Sequence, residues 1–171
     1  ILQECFYLPF ASRAQREAML DALNRRLANY VRRHGADLAR TLDVERRFEI
    51  PLDGARLRGR IDLLLRAAGP DPSAVEIVDI KTAENRPPLP QHQNQLRLYA
   101  QAARMLGLKP VRLVIHDLDS EDGAAIPVEE NPAELARFQE DMCRWVHGIR
   151  RGRFSPLGAT ACRTCDYAGL C

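Results

Sequence analysis

The segment Val75 to Thr82, VEIVDIKT, constrains this chain more than any other stretch. Its apolar, β-branched content reads as a strand, and on a strand side chains two apart share a face. Val75, Ile77, Asp79 and Lys81 therefore form one row that runs from a buried end to a carboxylate and then an amine. Taken alone, an Asp-x-Lys tripeptide fits an exposed-strand salt bridge at least as well as a reactive site. Its neighbours decide between the two.

Those neighbours can be placed from the pattern. Ser12 with Gln15 resembles a capping box, and Met19, Leu20, Leu23, Leu27, Tyr30 and Val31 follow a helical period up to about Gly35. Val44, Phe48 and Ile50 alternate with charged residues, and the turn Pro51 to Ala55 leads into Arg56 to Arg66, which predicts a hairpin. A third strand follows over Ala74 to Thr82. Prolines 87, 88 and 90 end it and introduce a helix from about Gln91 to Leu106. Val111 to Leu118 alternates as another strand. Asn131 as N-cap and Pro132 at the first helical position start a last helix running to about Arg151. The expected order is α-β-β-β-α-β-α with a cysteine-bearing tail.

The hairpin strand before VEIVDIKT carries GRIDLLL, Gly59 to Leu65. Neighbouring strands stand only about 4.8 Å apart, so Asp62 and Asp79 can meet at one divalent ion. Mg²⁺ suits such a site, because it takes one or two carboxylates and keeps waters for a substrate. Lys81 would orient or deprotonate a water there, or steady charge on a phosphate. Gln95 and Tyr99, four apart on the following helix, share a face and can reach the same region.

A chain of 171 residues, 46% hydrophobic, buries one good core, so residues 1–171 read as a single domain. No run of eighteen apolar residues offers a membrane span and nothing suggests export, which leads to the expectation of a cytoplasmic protein. The chain starts at Ile1 without Met, which suggests a fragment of a larger protein. Its net charge of +2 would not by itself flag a nucleic-acid partner. Lys and Arg total 25, and only Lys81 and Lys109 are lysines. A Lys kept at 81 in so Arg-rich a chain points to a need for a titratable amine.

Cys5 stands alone near the start, and Cys162, Cys165 and Cys171 close the chain as C-x2-C-x5-C. In a reducing compartment such spacing reads as metal or cluster ligation, and four thiolates can hold either zinc or an iron–sulfur cubane. Cys143, between Met142 and Trp145, reads as an inert core thiol.

Gly59 with Asp62, Asp79 with Lys81, and Gln95 with Tyr99 together resemble the PD-(D/E)XK nuclease superfamily in its RecB-type branch, which pairs G-x-x-D, D-x-K and Q-x-x-x-Y. The resemblance implies an α/β, restriction-endonuclease-like fold, with a mixed central sheet flanked by helices. It implies a Mg²⁺- or Mn²⁺-dependent deoxyribonuclease acting on DNA ends or single strands in repair or recombination. Asp62 and Asp79 would be metal ligands, assisted by the Ile80 main-chain carbonyl and by Glu45, with Lys81, Gln95 and Tyr99 serving catalysis. The cysteine arrangement is similar to that of AddB-type helicase–nuclease subunits and CRISPR-associated exonucleases, which implies a 4Fe-4S cluster on Cys5, Cys162, Cys165 and Cys171, and a helicase domain or subunit as partner.

One departure concerns a helical His that relatives place before the G-x-x-D strand. His34 sits at the wrong point for it, and His34, His92, His116 and His147 read as surface or packing residues, with His92 the nearest to Gln95. Two alternatives stand beside the nuclease reading: a DNA-binding clamp that has lost catalysis, and a zinc-ribbon scaffold for protein partners.

Overall fold

A computed structural model describes residues 6–7, 9–82, 90–119 and 125–154. Helix α1 (Arg13–Leu38) begins where the sequence places it, with Ser12 Oγ accepting from Gln15 N at 3.3 Å and Gln15 Oε1 accepting from Ser12 N at 2.9 Å. Strands β1 (Thr41–Leu52) and β2 (Ala55–Arg66) form a long antiparallel hairpin. Its two-residue turn, Asp53-Gly54, takes φ of 47° and 70°, the left-handed pair that lets two twisted strands close tightly.

Strand β3 (Ala74–Lys81) lies antiparallel to β2 and parallel to β4 (Lys109–Asp117). A parallel pair needs a crossover, which helix α2 (Pro90–Met105) supplies. A short fifth strand, β5 (Ala125–Val128), pairs antiparallel with β4 before helix α3 (Pro132–Arg150). The sheet order is β1-β2-β3-β4-β5, the mixed α/β arrangement expected from the sequence apart from β5. Ala-Ile-Pro-Val is too short to alternate visibly, and its proline is tolerated because β5 is an edge strand.

The sheet is covered unequally. Phe48, Ile61, Leu64, Val75, Ile77 and Ile115 join Leu96, Tyr99, Ala100 and Ala103 of α2 in the main core. Each large aliphatic side chain so buried contributes roughly 1.5–3 kcal/mol. Arg97, also buried, is satisfied by Glu129 O, Asn94 and Glu134, so it fastens α2 to the start of α3. On the other face Leu63, Leu65 and Val78 make a small cluster with Ile80, and α1 has no buried residue at all. Among the described residues no helix is long and apolar enough to cross a membrane.

Candidate active site

Strand β3 delivers its row as the alternation demands. Val75 and Ile77 are fully buried in the main core, and Asp79 is buried as deeply, at 0% exposure. Burial pushes the Asp79 carboxyl up from 3.8 to about 6; Lys81 opposes that shift, and the neighbouring Asp62 adds to it. Lys81 Nζ donates to Asp79 Oδ1 at 3.0 Å and lies 2.9 Å from Oδ2. The angle at Oδ2 makes no hydrogen bond, so that buried oxygen is left with charge contact alone.

Lys81 Nζ also donates to Gln95 Oε1 at 3.0 Å, and Gln95 Nε2 donates to Tyr99 OH at 2.6 Å. The helix following the strand therefore holds the amine directly. Burial, with the charges of Asp62, Asp79 and Glu45, pushes Tyr99 up to about 12, against the pull of Gln95. The phenol stays protonated, and because its oxygen accepts from Gln95, its hydrogen is left for another acceptor.

Asp62 is fixed by a break in the ladder. The pairing of β2 with β3 runs from Arg66↔Val75 to Leu63↔Val78 and goes no further. Beyond it, Ile80 N donates to Asp62 Oδ2 at 2.9 Å, so a carboxylate replaces the strand acceptor and Asp62 is held toward Asp79. Gly59 serves the same arrangement from three residues upstream. A Cβ there would stand 2.5 Å from the Phe48 ring, which lies across the glycine and meets Tyr99 edge-on with centroids 5.7 Å apart.

The remaining sequence candidates fall differently. Glu45, in the left-handed region at φ 52°, is exposed and pairs with Arg60 at 3.0 Å. Among the described residues no three His, Cys, Asp or Glu side chains converge as a metal cage. Ile80 contributes its N–H to Asp62. His92 is brought near Lys81, whose charge adds to burial in lowering its pKa. His116 packs inside on the α1 face, stacked on His34 at 3.9 Å and 3.2 Å from Tyr30 OH. His147 binds the hairpin turn through Asp53 at 2.7 Å. Cys143 is half-buried, a correction to its expected place in the core: the buried neighbour is Met142, while Trp145 is exposed. Cys5, Cys162, Cys165 and Cys171 lie outside the described residues.

What the sequence pattern did not reveal is the hydrogen-bonded chain Asp79–Lys81–Gln95–Tyr99. Two carboxylates, one neutral amide and one protonated phenol near a single ammonium give a site with the chemistry to hold a cation at one side and to donate to an oxyanion at the other. The buried, hydrogen-bond-free Asp79 Oδ2 and the mutual repulsion of the two carboxylates fit a divalent cation, which would satisfy both.

The sequence profile of the PD-(D/E)XK nuclease superfamily matches residues 3–171. The chain belongs to that superfamily, whose members are metal-dependent nucleases. Among solved structures, the protein SSO0001 is similar at 19% identity and TM-score 0.52, covering 90% of this chain and 70% of its own. A protein from Eubacterium rectale named as a candidate exonuclease is similar at 16% identity and TM-score 0.60, covering 98% of this chain. The match spans 65% of that protein's own length. At such identities both show the fold. No curated protein matches the chain.

Proposed function

We propose that this domain is a Mg²⁺- or Mn²⁺-dependent deoxyribonuclease that hydrolyses DNA at ends or in single strands, in repair or recombination. The single observation that carries this reading is the ammonium of Lys81 held between Asp79 and Gln95 beside a second, ladder-fixed carboxylate. Asp62 and Asp79 would hold the cation, which supplies charge for the phosphate and a more acidic water. Lys81, steadied by Gln95, orients the attacking water as an ammonium or, once it has released a proton of its own to solvent, takes the proton of that water as a neutral amine. Tyr99, kept neutral, donates its hydrogen to a phosphate oxygen of the strand. Buried Asp79 and the packed floor of Ile77 and Ile115 exclude bulk water from one side.

The test is cleavage of labelled single-stranded DNA with Mg²⁺, Mn²⁺ or chelator. Wild-type protein should cut only with metal, and Asp62→Asn and Asp79→Asn should bind DNA without cutting it. Cleavage unchanged in Asp79→Asn would remove this site from the chemistry, and DNA binding without any cleavage by wild-type protein would favour the inactive clamp.

The four cysteines support a second element of the reading, a 4Fe-4S cluster on Cys5, Cys162, Cys165 and Cys171 in a reducing, cytoplasmic setting, with a helicase domain or subunit as partner. Protein purified without oxygen should be brown, and Cys165→Ala should bleach it. Stoichiometric zinc without iron would overturn this assignment.

A further inference from the structure

The hairpin arm β1–β2 carries a charge arrangement that its own stability does not ask for. Arg47 and Arg60 stand directly opposite each other in the ladder, both exposed. Like charges placed across a strand pair are destabilising. Their surroundings only partly relieve this. Glu45 takes Arg60 at 3.0 Å, and Glu49 takes both Arg56 and Arg58, at 3.0 and 2.8 Å. Among the described residues Arg47 has no ion pair.

The same arginines line a cavity of about 750 Å³ together with Arg58, Gly59, the buried Phe48 and the exposed Leu106, with Glu49 as its single carboxylate. That volume lies within the range of small-ligand sites, roughly 300–1,000 Å³. Guanidiniums along its edge suit phosphate oxygens, and the exposed side chain of Leu106 offers apolar contact to a base. A base buried in a duplex has no free face to offer. The cavity is also tied to the active site: Phe48 in its wall touches Tyr99, and Arg60 stands two residues before Asp62 on β2.

We infer that this cavity seats a nucleotide of a single-stranded substrate next to the cleavage site, with the backbone phosphate held by Arg47 and Arg60. The inference rests on the nuclease reading and adds to it the path of the strand. The repulsion between the two arginines is the folded protein's cost for a site that an anion completes.

Binding of a fluorescein-labelled single-stranded 12-mer would be measured across salt concentrations in the Asp79→Asn protein, so that no cleavage intervenes. Adding Arg47→Gln should weaken binding about three- to tenfold at low salt and make the slope of log K against log salt shallower by about 0.7, the value for one phosphate contact on a single strand. Arg47→Lys should keep the slope. The melting temperature of Arg47→Gln should stay level or rise, since a like-charge pair is relieved. A blunt duplex 12-mer should compete less well than the single strand.

Equal slopes in the Asp79→Asn parent and its Arg47→Gln derivative overturn the inference, as does a Lys variant that behaves like Gln. A shallower slope together with a wild-type protein that never cleaves would uphold the strand path and sink the nuclease reading alone. Metal-dependent cleavage with an unchanged slope does the reverse.

Discussion

Replacing Asp79 by Asn should make the metal-free protein more stable at neutral pH while ending its chemistry. The native carboxyl sits at about 6 rather than 3.8, chiefly through burial. An acid raised in the folded state holds its proton more tightly there, so its contribution to stability is fully present below about 3.8 and is lost as pH rises to about 6. At 1.36 kcal/mol per pH unit, the difference between 3.8 and about 6 comes to about 3 kcal/mol by pH 7. Asn keeps the shape without the charge. It also gives up the Lys81 ion pair, but that amine retains Gln95 at 3.0 Å, and its side chain is 22% exposed to water. The expected net gain is about 1–3 kcal/mol, or roughly 2–10 °C in melting temperature for a domain of this size. Calorimetry at pH 7 with a chelator should show it, and the gap should shrink by pH 4.5. Adding Mg²⁺ should raise the wild-type melting temperature and leave the variant unmoved. A variant less stable than wild type at pH 7 in chelator would refute the reasoning, because the charged carboxylate would then be a net stabiliser.

His116 should act in the opposite sense: burial and then the His34 charge lower it to about 4, so stability present above 6.5 is lost, by up to about 3 kcal/mol, as pH falls from 6.5 toward 4. Tyr30, His34, Asp37, Glu76 and Arg112 surround this ring, and melting curves in the Asp79→Asn background, where the carboxyl no longer titrates, should show the slope flattened by His116→Gln. Gly59→Ala should cost about 1–3 kcal/mol through the clash with Phe48 and slow cleavage by displacing Tyr99, and Phe48→Leu should recover part of both; a neutral Gly59→Ala would show that the ring gives way freely. Lys81→Arg keeps a charge but cannot release a proton, so a rate loss as deep as that of Lys81→Ala would mark the amine as a base, and partial activity would mark it as a charge alone.

Much of this architecture is legible in the sequence, because the elements that matter carry local signals. Ser12 and Gln15 announce α1, Asn131 and Pro132 announce α3, and the β2 and β3 runs announce themselves by apolar content. What could not be read depends on contacts between segments. The grip of Gln95 on Lys81 bridges fourteen residues, and a Q-x-x-x-Y spacing says only that two side chains share a helical face. The role of Gly59 lies in Phe48, eleven residues away across a ladder whose register no single strand reveals. The stacking of His34 on His116 joins α1 to β4, and nothing local to either histidine signals it.

The unequal covering of the sheet has a consequence for how the molecule opens. Helix α1 is fastened by polar links, Arg26 to Asp119, Tyr30 to His116 and Asp37 to Arg40 just past its end, which in turn holds Glu76, and buries no residue of its own. Helix α2 buries seven residues in succession or nearly so, including Tyr99. Amide hydrogens of α1 should therefore exchange through local detachment, at rates set by a small opening free energy, while those of α2 wait for the whole domain to unfold. The groups that surround Lys81 ride on the slow-exchanging half, so the chemistry can outlast the loss of an entire helix.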